Sequence, residues 1–215
     1  MTRDKISIAV IKRLPRYYRY LDELYTEGVV RISSEQLAKL MGGTASQIRQ
    51  DLNCFGGFGQ QGYGYNIEFL RKSISEIMGL DRDYTAIVIG AGNMGRALIN
   101  NFKFERRGFK LLAVFDIDEN LAGKTIGNER CYEVKHMSEL ENYVKENKPS
   151  IAVLTVPRGE ARKTARDLAD WGIKGIWNFT NMDLRLGDTD VKVENVYMSD
   201  GLMTLCYHIA EDQKK

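Results

Sequence analysis

The sequence predicts an α/β protein made of an N-terminal winged-helix domain, a Rossmann-type parallel-sheet domain and a C-terminal helix. Three observations predict this class: two short capped helices before a glycine-rich segment, then β-branched runs alternating with helical patterns, and finally an apolar stripe at helical spacing. We place the domain boundaries so that the three parts span residues 1–80, 81–198 and 199–215.

Composition and charge limit the class of protein. With 215 residues, 43% of them hydrophobic, the chain can bury two small cores. No apolar run approaches the roughly 20 residues of a membrane span, so we expect a cytoplasmic protein. Cys54, Cys131 and Cys206 lie far apart and indicate neither a disulfide framework nor a metal site. The net charge is only +2, but the first twenty residues contain six basic residues and one acidic residue. Such an excess of basic residues is typical of phosphate-binding segments and equally of a solvated helix face.

The first 80 residues predict four helices. Apolar residues three and four apart from Lys12 to Glu27 predict the first, with Pro15 in its first turn. Ser33 and Gln36 form a capping box that begins the second, which ends at a glycine pair. Thr44 begins the third with a second capping box, in which Gln47 is the reciprocal residue. A fourth amphipathic helix closes the domain at Gly79.

The segment FGGFGQQGYGYN predicts two short strands around a turn that contains Gln60 and Gln61. Helix, tight turn, helix and hairpin are typical of a winged helix, in which the second short helix lies in the major groove of DNA. Its candidates for base contacts are Ala45, Ser46, Gln47, Arg49 and Gln50. The alternatives are a winged helix that binds protein and a polar face that is only solvated.

Beyond residue 84 the runs TAIVIG, KLLAVFD, IAVLTVP and GIKGIWNF alternate with helical patterns, which predicts a parallel sheet covered on both faces. Gly90, Gly92 and Gly95 form G-x-G-x-x-G between the first strand and a helix, the context in which this motif binds a dinucleotide pyrophosphate. The candidate pyrophosphate site is Gly90, Ala91, Gly92, Asn93, Met94 and Gly95. A glycine turn without a ligand is the alternative.

Asp116 ends the second strand, 21 residues past Gly95, where an acidic residue meets the ribose hydroxyls. It favours NAD over NADP because a carboxylate repels a 2′-phosphate. Later strands end in Thr155, Val156 and Pro157 and in Asn178 and Phe179, which are candidates for the nicotinamide half of the site. Each of these later segments is equally consistent with ordinary loop chemistry.

A Rossmann-type NAD- or CoA-binding enzyme subunit is the alternative function. A dehydrogenase would need a substrate domain and a proton-transfer group beside the nicotinamide. Only about 35 residues follow the Rossmann pattern, and neither His136 nor His208 is paired with a nucleophile in the sequence. We therefore favour DNA binding over catalysis.

Eight segments in order resemble the Rex family of redox-sensing repressors over nearly the whole chain. They are KRLPRYYRYL, RISSEQLAKLMG, ASQIRQDL, FGGFGQQGYGYN, VIGAGNMGRAL, FDID, LTVP and IKGIWNF. The resemblance implies a homodimer with a C-terminal helix exchanged between protomers, a palindromic operator in double-stranded DNA, and release from that DNA when NADH replaces NAD⁺. Independently, the apolar stripe in residues 200–211 predicts a dimer contact, with packing on its own Rossmann domain as the alternative.

The resemblance also implies roles for individual residues. It assigns phosphate contacts to Lys12 and Arg13, base and phosphate contacts to the helix around Gln47 and Arg49, and a minor-groove contact to the wing. The other candidates for DNA contact are Ser33, Ser34, Thr44, Ala45, Ser46, Gln50, Gln60 and Gln61. The family usually has basic residues where this chain has Gln50, Gln60 and Gln61, so operator preference could differ.

Three further residues carry the redox switch implied by the resemblance: an arginine of the first long helix, a tyrosine late in the helix after the glycine motif, and an acid near the C-terminal segment. Arg19 matches the arginine, but Asn101 stands at the tyrosine position and Tyr197, followed by Met198, at the acid position. Neither replacement offers a carboxylate to Arg19. We therefore expect dinucleotide binding to survive and NADH-driven release of DNA to be weak or absent. The alternative is that Asp200, three residues after Tyr197, takes the place of the acid.

Overall fold

The computed structural model describes residues 6–60 and 63–213, and the chain divides into two compact units, Met1–Arg82 and Asp83–Lys215. The first unit is a winged helix, as predicted, with β3 between β1 and β2 in a small antiparallel sheet. Its elements are α1 (Ile8–Thr26), β1 (Arg31–Ile32), α2 (Ser34–Met41), α3 (Ala45–Asn53), β2 (Gly59–Gln60), β3 (Gly64–Asn66) and α4 (Ile67–Met78).

The apolar faces of the four helices meet in one core. Leu21 from α1, Leu37 from α2, Leu52 from α3 and Leu70 from α4 are all buried in it, as the helical spacing of the sequence requires. Burial of these side chains is the main source of stability for helices that are individually short.

The first helix begins earlier than predicted. Ser7 caps it by accepting a hydrogen bond from the Val10 N–H, so the helix starts at Ile8. Pro15 therefore lies about two turns inside the helix, and its expected place in the first turn is wrong. It is exposed there and removes one backbone hydrogen bond on the solvent side.

The second unit is a Rossmann-type fold, as predicted. Its seven strands follow the order β10-β9-β8-β4-β5-β7-β6 and are parallel except for β6. Strand order reverses between β4 and β8, which is where open α/β sheets hold their ligands. The strands are β4 (Tyr84–Ile89), β5 (Phe109–Asp116), β6 (Thr125–Ile126), β7 (Tyr132–His136), β8 (Ile151–Leu154), β9 (Gly175–Asn178) and β10 (Lys192–Asn195).

Helices cover both faces of this sheet. One face packs against α6 and α7, through Val144 and Leu168, and the other packs against α5 through Ile99. The helices of this unit are α5 (Asn93–Asn101), α6 (Leu140–Asn147), α7 (Arg158–Asp170) and α8 (Met198–Asp212). Among the helices of residues 6–60 and 63–213, none is long and apolar enough to cross a membrane.

The C-terminal helix α8 has no buried residue. Its large apolar side chains are 50–70% exposed, which is unusual for a helix that carries so many of them. They are Met198, Leu202, Met203, Leu205, Tyr207 and Ile209.

Candidate functional site

The loop after β4 carries the three glycines of the motif. A β-carbon added at Gly95 would lie 1.9 Å from the carbonyl oxygen of Gly90, and one added at Gly90, where φ is 99°, would lie 2.8 Å from the carbonyl oxygen of Thr155. Packing therefore requires glycine at both positions. A β-carbon at Gly92 would meet no described atom within 4 Å, so Gly92 leaves open space beside the backbone.

The N-terminus of α5 begins at that open space. Gly92 is its N-cap residue and has no side chain to accept from the first-turn N–H groups. Such N–H groups, with the positive end of the helix dipole, attract a phosphate. Asn93 and Met94 supply the first-turn amides, and Nε of Arg96 donates to the carbonyl of Ala91 at 2.8 Å. The predicted pyrophosphate residues thus form one continuous loop and helix turn.

Asp116 lies beside this loop at the end of β5. Its Oδ2 accepts a hydrogen bond from the Ala91 N–H at 2.5 Å, and its Oδ1 accepts one from the Asp118 N–H at 2.9 Å. Each carboxylate oxygen keeps a second lone pair, so ribose hydroxyls could still donate to it. Asp118 is bonded within its own turn, where the backbone and side-chain N–H groups of Asn120 hold its pKa below the usual value.

Thr155 braces the glycine loop from the neighbouring strand. Its Oγ1 lies 2.9 Å from the carbonyl oxygens of both Ile89 and Gly90, and its N–H donates to Ile89. The hydroxyl is therefore directed at the protein backbone, where it fixes the loop. Val156 is half-buried and Pro157 is exposed as the N-cap residue of α7, so both keep solvent-accessible surface just after the carboxyl end of β8.

Asn178 holds the end of β9 in place. Its Nδ2 donates to the carbonyl of Met182 at 2.8 Å and to Oδ1 of Asn195 at 2.7 Å, while its own Oδ1 accepts from the N–H and hydroxyl of Thr180. Both donors and both acceptor sites of this buried amide are occupied, which favours a structural role over the predicted nicotinamide contact. Phe179 is half-buried and packs edge-on against Trp177, with ring centroids 4.6 Å apart.

In the first unit, α3 presents the predicted DNA-contacting side chains to solvent. Gln47, Arg49 and Gln50 are exposed with Ser46, Ala45 is half-buried, and Ile48 and Leu52 anchor the opposite side of the helix. Nη1 of Arg49 donates to Oγ of Ser34 at 2.9 Å, which joins α3 to the start of α2.

The two predicted capping boxes differ in the structure. Ser33 and Gln36 exchange both hydrogen bonds, which confirms the first box. Thr44 accepts from the Gln47 N–H at 3.2 Å, but the Gln47 side chain does not return the bond. The second box is thus only half formed, because the Gln47 amide donates to Asp51 instead, at 2.8 Å.

Of the two predicted phosphate contacts on α1, Lys12 is exposed and Arg13 is bonded inside the unit. Arg13 donates from Nε and Nη2 to the two oxygens of Asp51, at 2.6 and 2.7 Å. Asp51 is 1% exposed and also accepts from the Tyr17 hydroxyl at 2.7 Å. Arg13 thus has a structural partner, and only its remaining donors could reach a phosphate.

Ionisation in this cluster is fixed by the same contacts. Burial raises the pKa of Asp51, but hydrogen bonds from Arg13, Tyr17 and Gln47 lower it by more, so the pKa lies below its usual value. The hydrogen bond to Asp51 raises the pKa of Arg13, and burial followed by the bond to Asp51 raises the pKa of Tyr17. At neutral pH the cluster is a buried carboxylate that accepts four hydrogen bonds from three side chains.

Sequence reasoning missed Asp51. The signal was its position, because it lies three residues after Ile48 and directly before Leu52, on the side of α3 that the apolar spacing assigns to the core. A carboxylate there must be paired, since an isolated buried charge is strongly unfavourable.

The wing is formed by β2 and β3. Gln60 lies at the end of β2 with its backbone opposite Gly64, and Gln61 lies outside the described residues. Arg31, a basic residue absent from the predicted set, donates from Nη1 to the Tyr63 carbonyl at 3.3 Å. A cation therefore lies at the wing even though the wing glutamines carry none.

The predicted switch residues each have local contacts. The Arg19 guanidinium is exposed and lies 5.7 Å from the ring centroid of Tyr20. Asn101 ends α5 and donates from Nδ2 to the carbonyl of Ala97 at 2.8 Å. Tyr197 is the half-buried N-cap residue of α8, and Met198 is 70% exposed as its first residue.

The two histidines have different surroundings. Nδ1 of His136 lies 2.8 Å from the Ser138 hydroxyl at the start of a short 3₁₀ turn, and His208 is exposed on α8. Within the described residues, no three His, Cys, Asp or Glu side chains are arranged to hold a metal ion.

Two family models match this chain. Residues 5–53 match the family described as "Putative DNA-binding protein N-terminus", and residues 81–182 match the family described as "CoA binding domain". The first covers α1 to α3, and the second covers the glycine loop and most of the Rossmann-type sheet.

Full-length relatives are also similar. The chain is 50% identical over 210 residues to the redox-sensing transcriptional repressor Rex of Clostridium perfringens, covering 98% of this chain and 97% of that one. It is 50% identical to Rex of Thermoanaerobacter pseudethanolicus over 98% of this chain and 92% of the other.

Solved structures agree. The complex of RSP with β-NAD⁺ and operator DNA matches with a TM-score of 0.89 and 50% identity, over 98% of this chain and 95% of the other. RSP with β-NADH matches with a TM-score of 0.88 and 47% identity, over 98% and 97% of the two chains. At this identity and coverage, the chain belongs to the Rex family of redox-sensing transcriptional repressors.

Proposed function

We propose that this chain represses transcription as a homodimer that binds double-stranded operator DNA through α3 and the wing and binds NAD(H) at the glycine loop. The observation that carries the proposal is the full-length similarity to RSP bound to both β-NAD⁺ and operator DNA. The exposed polar face of α3 and the open space at Gly92 supply a separate surface for each ligand.

In this proposal Gln47, Arg49 and Gln50 face base edges, and Lys12 faces a phosphate. Arg49 would have two tasks, since its bond to Ser34 also orients the guanidinium. A mobility-shift assay with DNA upstream of the gene tests the proposal. We expect a specific complex that competitor DNA of scrambled sequence does not displace, and the absence of any specific complex would contradict it.

For the dinucleotide, the loop from Gly90 to Gly95 receives the pyrophosphate and Asp116 receives the adenosine ribose. Titration calorimetry with NADH and NADPH tests this arrangement. We expect tighter binding of NADH, because the 2′-phosphate of NADPH would lie beside a carboxylate that already borders the loop.

For the dimer, α8 is the proposed contact, since its exposed apolar residues have much to gain from a partner surface. Removal of residues 200–215 should give a monomer in sedimentation. A truncated chain that stays dimeric would move the interface elsewhere.

Redox coupling is proposed to be weak in this chain. Asn101 and Tyr197 offer no carboxylate to Arg19, so a charge-assisted hydrogen bond of the size of a typical allosteric coupling energy, about 1–3 kcal/mol, is missing. Operator affinity should therefore differ little between saturating NAD⁺ and saturating NADH. A large loss of affinity with NADH alone would show that the switch works through other residues.

The second candidate is an enzyme subunit that binds coenzyme A or NAD, favoured by the match of residues 81–182 to a CoA-binding family. Calorimetry with coenzyme A and NADH distinguishes the repressor from the enzyme subunit, because the repressor should bind NADH much more tightly than coenzyme A. Consumption of NADH on addition of a substrate would support the enzyme.

A further inference from the structure

The buried Asp51 carboxylate has one partner on the exposed side of α3. Oδ2 accepts from Nε of Arg13 at 2.6 Å and from the Tyr17 hydroxyl at 2.7 Å, both on α1. Oδ1 accepts from Nη2 of Arg13 at 2.7 Å and from Nε2 of Gln47 at 2.8 Å. Gln47 lies one helical turn before Asp51 and is itself exposed. The carboxylate therefore joins the packed interface of α1 and α3 to a surface side chain.

This contact determines which end of the Gln47 amide faces outward. An ionised carboxylate can only accept hydrogen bonds, so the NH₂ end of the amide must face Asp51. The carbonyl oxygen Oε1 then points away from the carboxylate. One N–H is used by Asp51, which leaves one N–H and the oxygen for other partners.

The carboxylate cannot turn freely, because α1 holds both of its oxygens. Arg13 binds the two oxygens with two separate N–H donors, a geometry that fixes the carboxylate plane. The Tyr17 hydroxyl, in a buried side chain, adds a third fixed point. A surface glutamine bonded to such an anchor has one amide orientation, whereas a free glutamine would have two.

We propose that Asp51 is a positioning residue for operator recognition, which fixes the Gln47 amide so that it presents one oxygen and one N–H to a base edge. This pair matches the major-groove edge of adenine, where the 6-amino group donates and N7 accepts. The proposal rests on the proposed binding of operator DNA by α3. It goes further because it names adenine as the recognised base and Asp51 as the residue that orients Gln47.

A double-mutant cycle on the full-length chain tests the proposal. Operator affinity is measured by fluorescence anisotropy for Gln47→Ala, Asp51→Asn and the double variant, with Arg49→Ala combined with Asp51→Asn as the matched control. We expect Asp51→Asn to lower operator affinity about tenfold alone but less than about twofold when Gln47 is already alanine. With Arg49→Ala, the two losses should multiply.

A purely structural role for Asp51 would predict a different result. Loss of packing between α1 and α3 would lower affinity by the same factor in every background, so multiplication of the losses with Gln47→Ala would overturn the proposal. Failure of the proposed function is distinguishable, because wild-type protein would then bind no operator, or Arg49→Ala would not weaken binding.

A second measurement keeps the test decisive if Asp51→Asn does not fold. Each operator adenine is replaced in turn by purine, which lacks the 6-amino group, and by 7-deazaadenine, which lacks N7. Wild-type affinity should fall at the same adenine with both analogues, and Gln47→Ala should be insensitive there. Equal sensitivity of wild type and Gln47→Ala at every adenine would overturn the proposal.

Discussion

The two candidate sites of this protein are built in opposite ways. The glycine loop would bind through backbone N–H groups, and its geometry depends on side chains being absent at Gly90 and Gly95. Helix α3 would bind through exposed side chains, of which Gln47 is held by the buried carboxylate of Asp51 and Arg49 by the Ser34 hydroxyl. A β-carbon added to the glycine loop should therefore damage the first site, and truncation of the side chains of α3 or of their buried partners should damage the second.

The comparison also separates the forces involved. The loop is held by close packing, by hydrogen bonds from the Thr155 hydroxyl and by one bond from the Ala91 N–H to the Asp116 carboxylate, and none of these bonds involves a cation. Asp51 holds α3 by charge, with a bidentate arginine and a tyrosine from α1. We therefore expect the two units to respond differently to mutation and to acid.

The largest effect is expected for Gly95→Ala. The new β-carbon would lie 1.9 Å from the Gly90 carbonyl oxygen, so α5 must move away from the loop, at a cost of about 3 kcal/mol or more in the free energy of unfolding. Trp171 and Trp177 are the two tryptophans of the chain and both lie in the second unit, so tryptophan fluorescence in a denaturant titration reports the change. Gly92→Ala is the control, and an equal loss of stability in both would contradict the packing argument.

The next largest loss of stability is expected for Arg13→Ala. It leaves the buried Asp51 carboxylate without its bidentate partner, and because Arg13 is 35% exposed we expect a loss near the lower end for broken buried pairs, about 2–3 kcal/mol. Thermal unfolding of the first unit by circular dichroism checks this. Lys12→Ala, at the exposed neighbouring position, should leave stability unchanged. If both variants are fully stable and lose only operator affinity, Arg13 is a phosphate contact alone.

Asp116→Ala should act mainly on the ligand. It removes the acceptor for the Ala91 N–H and for the ribose hydroxyls, which should cost about 1–3 kcal/mol of NADH binding and narrow the preference over NADPH. Calorimetry with both dinucleotides measures the change. Unchanged selectivity would assign the ribose contact to another residue, with Asp118 the next candidate.

The smallest effect is expected from lowering the pH, which should reduce the stability of the first unit. The pKa of Asp51 is lower in the folded unit than the ordinary value near 3.9, so its ion pair adds stability above that pH and loses it as the pH falls through the folded pKa. The first unit should therefore lose stability below about pH 4 more steeply in wild type than in Asp51→Asn. Parallel pH profiles for the two proteins would contradict the ionised state of Asp51.

The fold was predictable because it depends on spacing. Period-3.6 stripes, one complete capping box and β-branched runs specify helices and strands locally, and the glycine motif specifies how β4 meets α5. The start of α1 was not predictable to the residue, since Ser7 precedes the apolar stripe. Proline is typical of the first turn of a helix, so Pro15 indicated a start that is about two turns too late.

Side-chain partners were less predictable than elements. The pairing of Arg13 with Asp51 spans 38 positions of the sequence. Asp51 also accepts a hydrogen bond from the Gln47 amide, which the predicted capping box would have used. Asn178 shows the same limit, because its position at a strand end suggested ligand contact while its partners come from the following loop and from β10. Such contacts depend on tertiary packing, which no local pattern encodes.

One experiment tests most directly whether the two sites are separate and built as described. Operator affinity and NADH affinity are both measured for Arg49→Ala and Gly92→Ala. Arg49→Ala should lose about 1–3 kcal/mol of operator binding and keep its NADH affinity. Gly92→Ala should fold normally and lose NADH affinity, because its β-carbon enters the space left for the pyrophosphate, and it should keep operator binding without ligand. If either variant loses both affinities to the same degree, the account of two independently built sites is wrong.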